Sequence, residues 1–342
     1  MGMIELADVV KRYDGLVDNK DSGIALWVKN AVALTTNKAP STLALDGVSL
    51  AVERGEILGV YGANGAGKTT LIKIVAGLLS PTSGSVAVDS RTDTKGIKAA
   101  VSYVSTNGWM GLEWQLTARE NLVLYGNLFG LSGRRLARRC DEMLGVVGME
   151  DDAGKRVNEL SAGMRQKITI ARGLILDRPV IFYDEPSVSL DVPSARGLRD
   201  MIRTDAARHH RTAIIASHTP EDLVVCDRIV FLSHGHVLGV GTLDELSRPL
   251  AGTGIVEMTL NGPEPAIDFA ALPGVVSVIT DRVGASGTHR VRLHTDDQGF
   301  SFDALIDALL AAQVDVRGVG QAEPSVQDVY EWYVARADGR PS

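Results

Sequence analysis

The chain has 342 residues and a formal net charge of −7, with 35 Lys and Arg against 42 Asp and Glu, and 45% of its residues are apolar. This length predicts two domains, or one large domain with an appendix, and the composition excludes wholesale disorder. The two cysteines, Cys140 and Cys226, lie far apart in the chain, which argues against a disulfide scaffold or a zinc site. The acidic balance argues against nucleic acid as a partner, because binding its backbone needs clustered positive charge.

Signals for a membrane span or for secretion are missing from the sequence. No apolar run approaches the roughly 18 residues of a spanning helix. The first residues lack the basic-then-apolar order of a secretory signal. We therefore expect a protein of the reducing cytosol, whose membrane role goes through a partner or a surface helix.

The first unusual segment, residues 14–42, separates the first strand from the second, where a short connection is typical. Within it, residues 23–34 are apolar nearly all round. Two interpretations stay open for this insertion. It is either a helix packed on the surface of its own domain, or a docking element for a membrane protein or the bilayer interface.

A strand, a glycine-rich loop and a helix follow. The apolar run 57–60 predicts a buried strand, residues 61–70 form the loop, and 71–79 predict a helix that Pro81 ends. Further apolar runs predict strands at 180–183, 212–217 and 229–232, with helical patterns at 164–176 and 194–207. This alternation predicts an α/β fold with a mostly parallel sheet covered on both faces.

From about residue 250 the pattern changes to the alternation of half-exposed strands, at 255–260 and 289–294. Helical patterns follow at 302–312 and 326–334, and Ser325 with Asp328 predicts a capping box for the last helix. We therefore predict a first domain over residues 1–248, which includes the insertion 14–42, and a small α+β domain over 249–342.

The glycine-rich loop matches a complete phosphate-binding pattern, G-x-x-x-x-G-K-[ST], between Gly62 and Thr69. Glycines let the backbone wrap a phosphate, and the helix N-terminus presents partial positive charge to it. Lys68 adds a point charge for the β- and γ-phosphates, and the Thr69 hydroxyl is a ligand for Mg²⁺. The pattern predicts a nucleoside triphosphate site.

Two carboxylates follow the buried strand at 180–183. Asp184 stands at the carboxyl end of that strand, where it suits Mg²⁺ directly or through water. Glu185 comes next, where it can orient an attacking water or accept its proton.

Ser161 opens the predicted helix at 164–176. Taken alone it is a good N-cap. The alternative is a second anion-binding helix start, formed by Ser161 and the Gly163 N–H. The nucleotide would then lie between this motif and a phosphate loop supplied by another subunit.

Together with Ser217-His218, these motifs resemble the nucleotide-binding subunit of an ABC transporter over about residues 3–245. The resemblance implies a P-loop NTPase fold with a helical subdomain and a head-to-tail dimer that holds two ATP molecules with Mg²⁺. Glu185, His218 and Lys68 are the catalytic residues that it implies. The ATP-binding residues that it implies are Tyr13, Gly62, Asn64, Gly65, Ala66, Gly67, Lys68, Thr69, Thr70, Ser161, Gly163 and Asp191.

One position departs from the pattern of that family, where a glutamine touches Mg²⁺ and the attacking water. Thr106 stands at the aligned position, and Asn107 follows it. Thr69 and Asp184 remain the expected metal ligands, and Thr106 is a weaker candidate. We expect slower or differently coupled hydrolysis.

The segments 117–122 and 163–167 resemble exporters of the ABC-2 group, and the tail at 323–330 is similar to that of antibiotic-resistance ATPases. The insertion is closer to polysaccharide exporters, so the cargo stays open between these classes.

We expect an ATPase that powers export through a separate integral membrane permease. It would act at the cytoplasmic face of the membrane as a homodimer or with a second ABC ATPase. The alternative is a soluble or regulatory ABC ATPase that is not coupled to transport.

The basic stretch 134–139 has two interpretations. It is a solvated helix face, or a contact with the permease or with anionic lipid headgroups.

Overall fold

The computed structural model describes residues 2–13, 41–105, 111–188, 190–250, 253–262, 267–283, 287–296 and 299–337. The chain forms two compact units, Met1–Val240 and Gly241–Ser342. No helix within the described ranges is long and apolar enough to cross a membrane.

The first unit begins with two strands, then alternates strands with helices, includes one run of three consecutive helices, and ends with three strands. In chain order the elements are β1 (Ile4–Tyr13), β2 (Thr42–Val52), β3 (Ile57–Tyr61), α1 (Lys68–Val75), β4 (Ser83–Val88), α2 (Thr94–Ala100), β5 (Val101–Ser105), α3 (Ala118–Leu128), α4 (Gly133–Val146), α5 (Ala162–Leu174), β6 (Val180–Asp184), α6 (Val192–His209), β7 (Thr212–Ser217), β8 (Arg228–Ser233) and β9 (His236–Gly241).

A six-stranded sheet in the order β5-β6-β7-β3-β8-β9 forms the centre of this unit. The pairs β5–β6, β6–β7, β7–β3 and β3–β8 are all parallel, as the alternation of strands and helices predicts. A second, antiparallel sheet has the order β2-β1-β4. In the large sheet Tyr61 pairs with Ser217, and Asp184 pairs with Ala216. The carboxyl ends of β3, β6 and β7 therefore coincide at one edge.

Both faces of the large sheet are buried, which explains why its strands read as continuous apolar runs. In β6, Ile181 and Tyr183 pack into a cluster that includes side chains of α3, α4 and α5. Val180 and Phe182 point to the other face and pack with α1 and the antiparallel sheet. Each face thus has a core of its own.

The prediction that Pro81 ends α1 is wrong. The helix ends at Val75, with Ala76 as its C-cap and Gly77 in the left-handed region at φ 68°. A glycine at this position closes a helix because it adopts positive φ without a Cβ clash. The chain therefore leaves the helix several residues before the proline.

The second unit contains α7 (Leu243–Ser247), β10 (Thr253–Asn261), β11 (Val275–Val283), β12 (Thr288–Asp296), α8 (Phe302–Ala311), β13 (Asp315–Gln321) and α9 (Val326–Ala337). Its sheet has the order β11-β12-β10-β13 and is antiparallel throughout. The predicted capping box is confirmed, since the Ser325 N–H donates to Asp328 and the Asp328 N–H donates to the Ser325 hydroxyl.

Candidate functional site

The phosphate loop joins β3 to α1, and its shape depends on glycine. A Cβ added to Gly62 would lie 2.2 Å from the Leu232 carbonyl oxygen, and one added to Gly67 would lie 2.6 Å from that of Ala44. Gly65 and Gly67 also have φ of 85° and 109°, a region that L side chains rarely adopt. No side chain caps the first turn of α1. The loop therefore forms a cradle with backbone N–H groups at a helix start, which suits a phosphate.

Lys68 is buried beneath this loop. Its Nζ donates to the carbonyl oxygens of Gly62 and Ala63, at 2.7 and 3.2 Å. The same nitrogen lies 3.4 Å from Glu185 Oε1. The ammonium is thus held between the loop and the carboxylate that the sequence assigned to water activation.

Asp184 ends β6 and is fixed through both carboxylate oxygens. The Thr69 hydroxyl donates to Oδ1 at 3.1 Å, and the Tyr103 hydroxyl donates to Oδ2 at 2.7 Å. Burial, and next the charge of Asp184, raise the pKa of Tyr103 well above its usual range, so the phenol keeps its proton. The structure brings the two expected metal ligands together.

Glu185 and His218 form the third part of the site. Glu185 has φ 52°, an uncommon value for a residue with a side chain, and its N–H donates to the Ala216 carbonyl oxygen at 2.8 Å. Its Oε2 lies 2.7 Å from His218 Nδ1 and 3.3 Å from the His218 backbone nitrogen. Lys68, Glu185 and His218 therefore make one continuous network.

Sequence reasoning missed Tyr103. It also missed Asp222, a buried carboxylate that joins three segments beside the site. Asp222 Oδ2 accepts from the hydroxyls of Ser187 and Ser217, at 2.6 and 2.8 Å, and Oδ1 lies 3.3 Å from Arg199 on α6. Because Ser217 precedes His218, this carboxylate fixes the strand end that carries the histidine. An acidic residue near a known histidine is too common a pattern to have signalled the role.

Gln166 is a further residue that the sequence did not single out. It is buried on α5, and its Nε2 donates to the Pro186 carbonyl oxygen at 3.2 Å. This bond ties the helix that begins after Ser161 to the loop that follows Glu185.

Ser161 and Asp191 lie exposed at helix starts, where each caps its own helix, and Gly163 lies in the first turn of α5. Ser161 is the N-cap of α5 and accepts from the Met164 N–H at 3.2 Å. Asp191 is the N-cap of α6 and accepts from the Ser194 N–H at 2.8 Å. Hydrogen bonds with Ser194, first through its side chain and then through its N–H, lower the pKa of Asp191. Within one chain, Ser161 is therefore a helix N-cap, which is the first of its two interpretations.

The remaining predicted ATP contacts lie on or beside the loop. The Tyr13 ring is 41% exposed at the end of β1, and its hydroxyl lies 3.4 Å from the Thr70 hydroxyl. Asn64 is exposed and Ala66 is buried within the loop. Thr106, Asn107 and most of the insertion 14–42 lie outside the described residues, so those hypotheses stay predictions.

Comparison with known proteins decides the family. The model of the family described as "ABC transporter" matches residues 45–188. The ABC transporter ATP-binding protein NatA of Bacillus subtilis is 37% identical over 207 residues, which cover 59% of this chain and 83% of that protein. The chain belongs to the ATP-binding proteins of ABC transporters. The predicted fold and ATPase activity of this cassette are thereby confirmed, and it is the ATPase subunit of an export system.

Two further comparisons bear on the cassette. A solved ATP-binding cassette, captured as a dimer in a post-hydrolysis state with ADP and Pi, superposes with a TM-score of 0.58 at 25% identity, covering 70% of this chain and 99% of that chain. The daunorubicin resistance ATP-binding protein DrrA3 of Streptomyces coeruleorubidus is 31% identical over 291 residues, or 84% of this chain and 90% of that protein. The 291 aligned residues are more than the first unit contains, so the alignment with DrrA3 also includes part of the second unit.

Proposed function

We propose that this cassette binds Mg²⁺-ATP in the loop from Gly62 to Thr69 and hydrolyses it in a head-to-tail dimer. The energy drives a separate permease from the cytoplasmic face of the membrane. The observation that carries the proposal is the continuous network of Lys68, Glu185 and His218, next to the pair Thr69–Asp184.

The residues present fit Mg²⁺-ATP. The loop can keep its path only with glycine at position 62, because a Cβ there would collide with the Leu232 carbonyl oxygen. Thr69 Oγ1 and Asp184 Oδ1, 3.1 Å apart, are oxygen ligands of the kind that Mg²⁺ takes. The ion would neutralise charge on the phosphoryl group during its transfer.

The chain's own residues divide the chemistry between them. Lys68 places its ammonium under the loop, where it attracts the β- and γ-phosphates. Glu185 orients a water molecule for in-line attack and accepts its proton. His218, held 2.7 Å from Glu185, keeps that carboxylate aimed and adds a hydrogen bond near the reacting phosphate. Tyr13 stacks on the adenine ring.

A second cassette completes the site in this proposal. Ser161 and Gly163 of one subunit contact the γ-phosphate bound to the other, and Asp191 reaches across the dimer. Support comes from the exposed position of Ser161 and Asp191 and from the dimeric state of the solved cassette.

We propose drug-like molecules rather than polysaccharides as the cargo. Support comes from alignments that extend beyond the cassette. The doxorubicin resistance ATP-binding protein DrrA of Mycobacterium tuberculosis is 29% identical over 89% of this chain and 92% of that protein. Uptake of fluorescent anthracyclines into inverted vesicles, with and without ATP, tests this part. Uptake of polysaccharide precursors alone would contradict it.

The dimer is tested by size-exclusion chromatography of the Glu185→Gln protein with and without Mg²⁺-ATP. Loss of the water-activating carboxylate slows hydrolysis, so we expect ATP to hold the protein as a dimer. Adding Ser161→Arg places a bulky cation at the facing surface and returns the protein to a monomer that still binds ATP. A Glu185→Gln protein that stays monomeric while it binds ATP would contradict the dimer.

A further inference from the structure

Helices α3 and α4 form a helical hairpin whose tip carries exposed apolar and basic side chains. The two helices pack closely, since a Cβ on Gly126 would lie 2.3 Å from Leu136 Cδ1. The connecting residues, 129–132, are few. The end of α3 and the first turns of α4 therefore lie at the same end of the hairpin, which we call the hairpin tip (residues 124–138).

The apolar part of the tip comes from α3 and the residue that follows it. Leu124, Leu128 and Phe129 are 39%, 72% and 52% exposed. Leu124 and Leu128 stand one helical turn apart and share a face. Exposed apolar side chains clustered in this way indicate a contact surface more than a solvated one.

The basic part comes from the first turns of α4, where Arg134, Arg135 and Arg138 are exposed. Across the described part of the chain, no hydrogen bond or ion pair reaches these three guanidinium groups. The acidic residues nearby already pair with other arginines: Glu142 with Arg139 at 2.8 Å, Asp177 with Arg211 at 2.6 Å, and Asp141 with Arg119. Three positive charges are therefore left uncompensated at the tip.

Helix stability does not account for this arrangement. Cations in the first turn of a helix oppose its dipole, because the N-terminus already carries partial positive charge. Arg134 and Arg135 occupy that turn in α4, which has no acidic residue there, and its N-cap Ser132 makes no capping hydrogen bond. The arginines weaken the helix that carries them.

We infer that the hairpin tip binds the anionic surface of a lipid bilayer. Arg134, Arg135 and Arg138 contact lipid phosphates, while Leu128 and Phe129 enter the boundary between headgroups and acyl chains. Arginine suits phosphate because its planar guanidinium donates two parallel hydrogen bonds. A cleft of about 280 Å³ lies beside Arg135 and Arg138, and the acidic residues in its lining, Glu142 and Asp177, are each paired with another arginine.

Charge complementarity favours lipid and fixes an orientation. The whole chain carries a net charge of −7 and is repelled by an anionic membrane. A local basic patch with apolar neighbours then decides which side of the molecule approaches. Membrane binding at this tip does not involve Lys68, Glu185 or Ser161, so it can fail while the proposed ATPase function holds.

Flotation of the full chain with vesicles tests the inference. We expect binding to vesicles of equal parts phosphatidylcholine and phosphatidylglycerol, little binding to phosphatidylcholine alone, and weaker binding as salt rises. The triple variant Arg134→Gln, Arg135→Gln, Arg138→Gln should lose on the order of a hundredfold in partitioning, since each basic residue near the surface contributes several-fold. The pair Leu128→Ser, Phe129→Ser should weaken binding at unchanged charge.

The matched control changes net charge equally elsewhere on the surface, with Arg196→Gln, Arg208→Gln and Arg248→Gln. We expect it to bind vesicles like the unmodified protein. The tip variant should melt no lower than the unmodified protein, because its arginines oppose the dipole of α4, and all variants should keep the affinity for fluorescent ATP. Equal loss in both triple variants would overturn the inference in favour of unspecific charge. Full vesicle binding by the tip variant, with loss of assembly on the permease, would overturn it in favour of a protein contact.

Discussion

The two halves of the candidate site differ in where their polar groups find partners. In the half built from β3, β6 and β7, side chains from distant segments meet one another: Thr69 with Asp184, and Glu185 with Lys68 and His218. In the half formed by Ser161 and Asp191, each side chain caps the helix that follows it. The first half is therefore assembled within one chain, whereas the second is locally satisfied and exposed. This difference is what a site completed by a second subunit requires.

Lys68→Ala breaks the first half most severely. The substitution removes the buried ammonium that we propose to attract the β- and γ-phosphates, together with its contact to Glu185. We expect ATP affinity to fall by about a hundredfold or more, since a charged contact in a partly desolvated site contributes about 3 kcal/mol. Isothermal titration with ATP measures it.

Lys73→Ala is the matched control, because Lys73 is exposed on the same helix. It should bind ATP like the unmodified protein. Near-normal affinity in the Lys68→Ala protein would show that the loop does not hold the phosphates as described.

Asp222→Asn tests whether the first half depends on its support. The amide loses the charge that Arg199 contacts and one acceptor oxygen for the hydroxyls of Ser187 and Ser217. We expect a loss of about 2 kcal/mol in the free energy of unfolding, together with slower hydrolysis because the strand end before His218 is freed. Denaturant unfolding and steady-state ATPase assays measure the two effects. Glu221→Gln, at an exposed neighbour, should change neither; an unchanged Asp222→Asn protein would remove this carboxylate from the support of the site.

Tyr103→Phe tests whether the Tyr103 hydroxyl supports the expected metal ligand Asp184. When the Tyr103 hydroxyl is removed, Asp184 loses the hydrogen bond at Oδ2 that holds its carboxylate beside Thr69. We expect about a tenfold higher Mg²⁺ requirement for hydrolysis, as is usual when a residue supporting a metal ligand is removed. Magnesium titration of the ATPase rate checks it, with Tyr125→Phe as the control. Equal requirements in the two variants would contradict the role.

Ser161→Ala has the smallest expected effect on the single chain. It removes the N-cap of α5 and should lower the free energy of unfolding by about 1 kcal/mol. ATP affinity of the monomer should stay unchanged, because the phosphate loop is elsewhere. Chemical denaturation provides the measurement. Ser132→Ala is a control of the same chemistry at a helix start whose serine makes no capping hydrogen bond. A loss of monomer ATP affinity in Ser161→Ala would contradict the separation of the two halves.

Local patterns in the sequence predicted much of the first half. The spacing from Gly62 to Thr69 identifies the loop because each glycine answers a local need, either a positive φ or a close backbone approach. The apolar run 180–183 predicted the buried strand that ends in Asp184. The Ser325–Asp328 pair predicted the start of the last helix, α9. The end of α1 was missed, since Gly77 offers the same stop signal as a proline and comes first.

The supporting residues needed tertiary information. Tyr103 reaches Asp184 only because β5 lies beside β6 in the sheet, with Ser105 in register with Asp184. Asp222 meets Ser187 only because the chain returns to the site after β7. No spacing rule relates such residues, since strand order decides the distance between them.

Residues close together in the chain specify the phosphate loop, the pair of carboxylates and the family resemblance, because these follow from the conformational needs and chemistry of neighbouring residues. Tertiary packing determines which groups support them, the exposure of Ser161 and Asp191 at helix starts, and the lack of an acidic partner, among the residues that the structure describes, for three arginines at the hairpin tip. The reason is physical: local geometry is encoded over a few residues, whereas hydrogen bonds and ion pairs between distant segments exist only once the sheet and helices have packed.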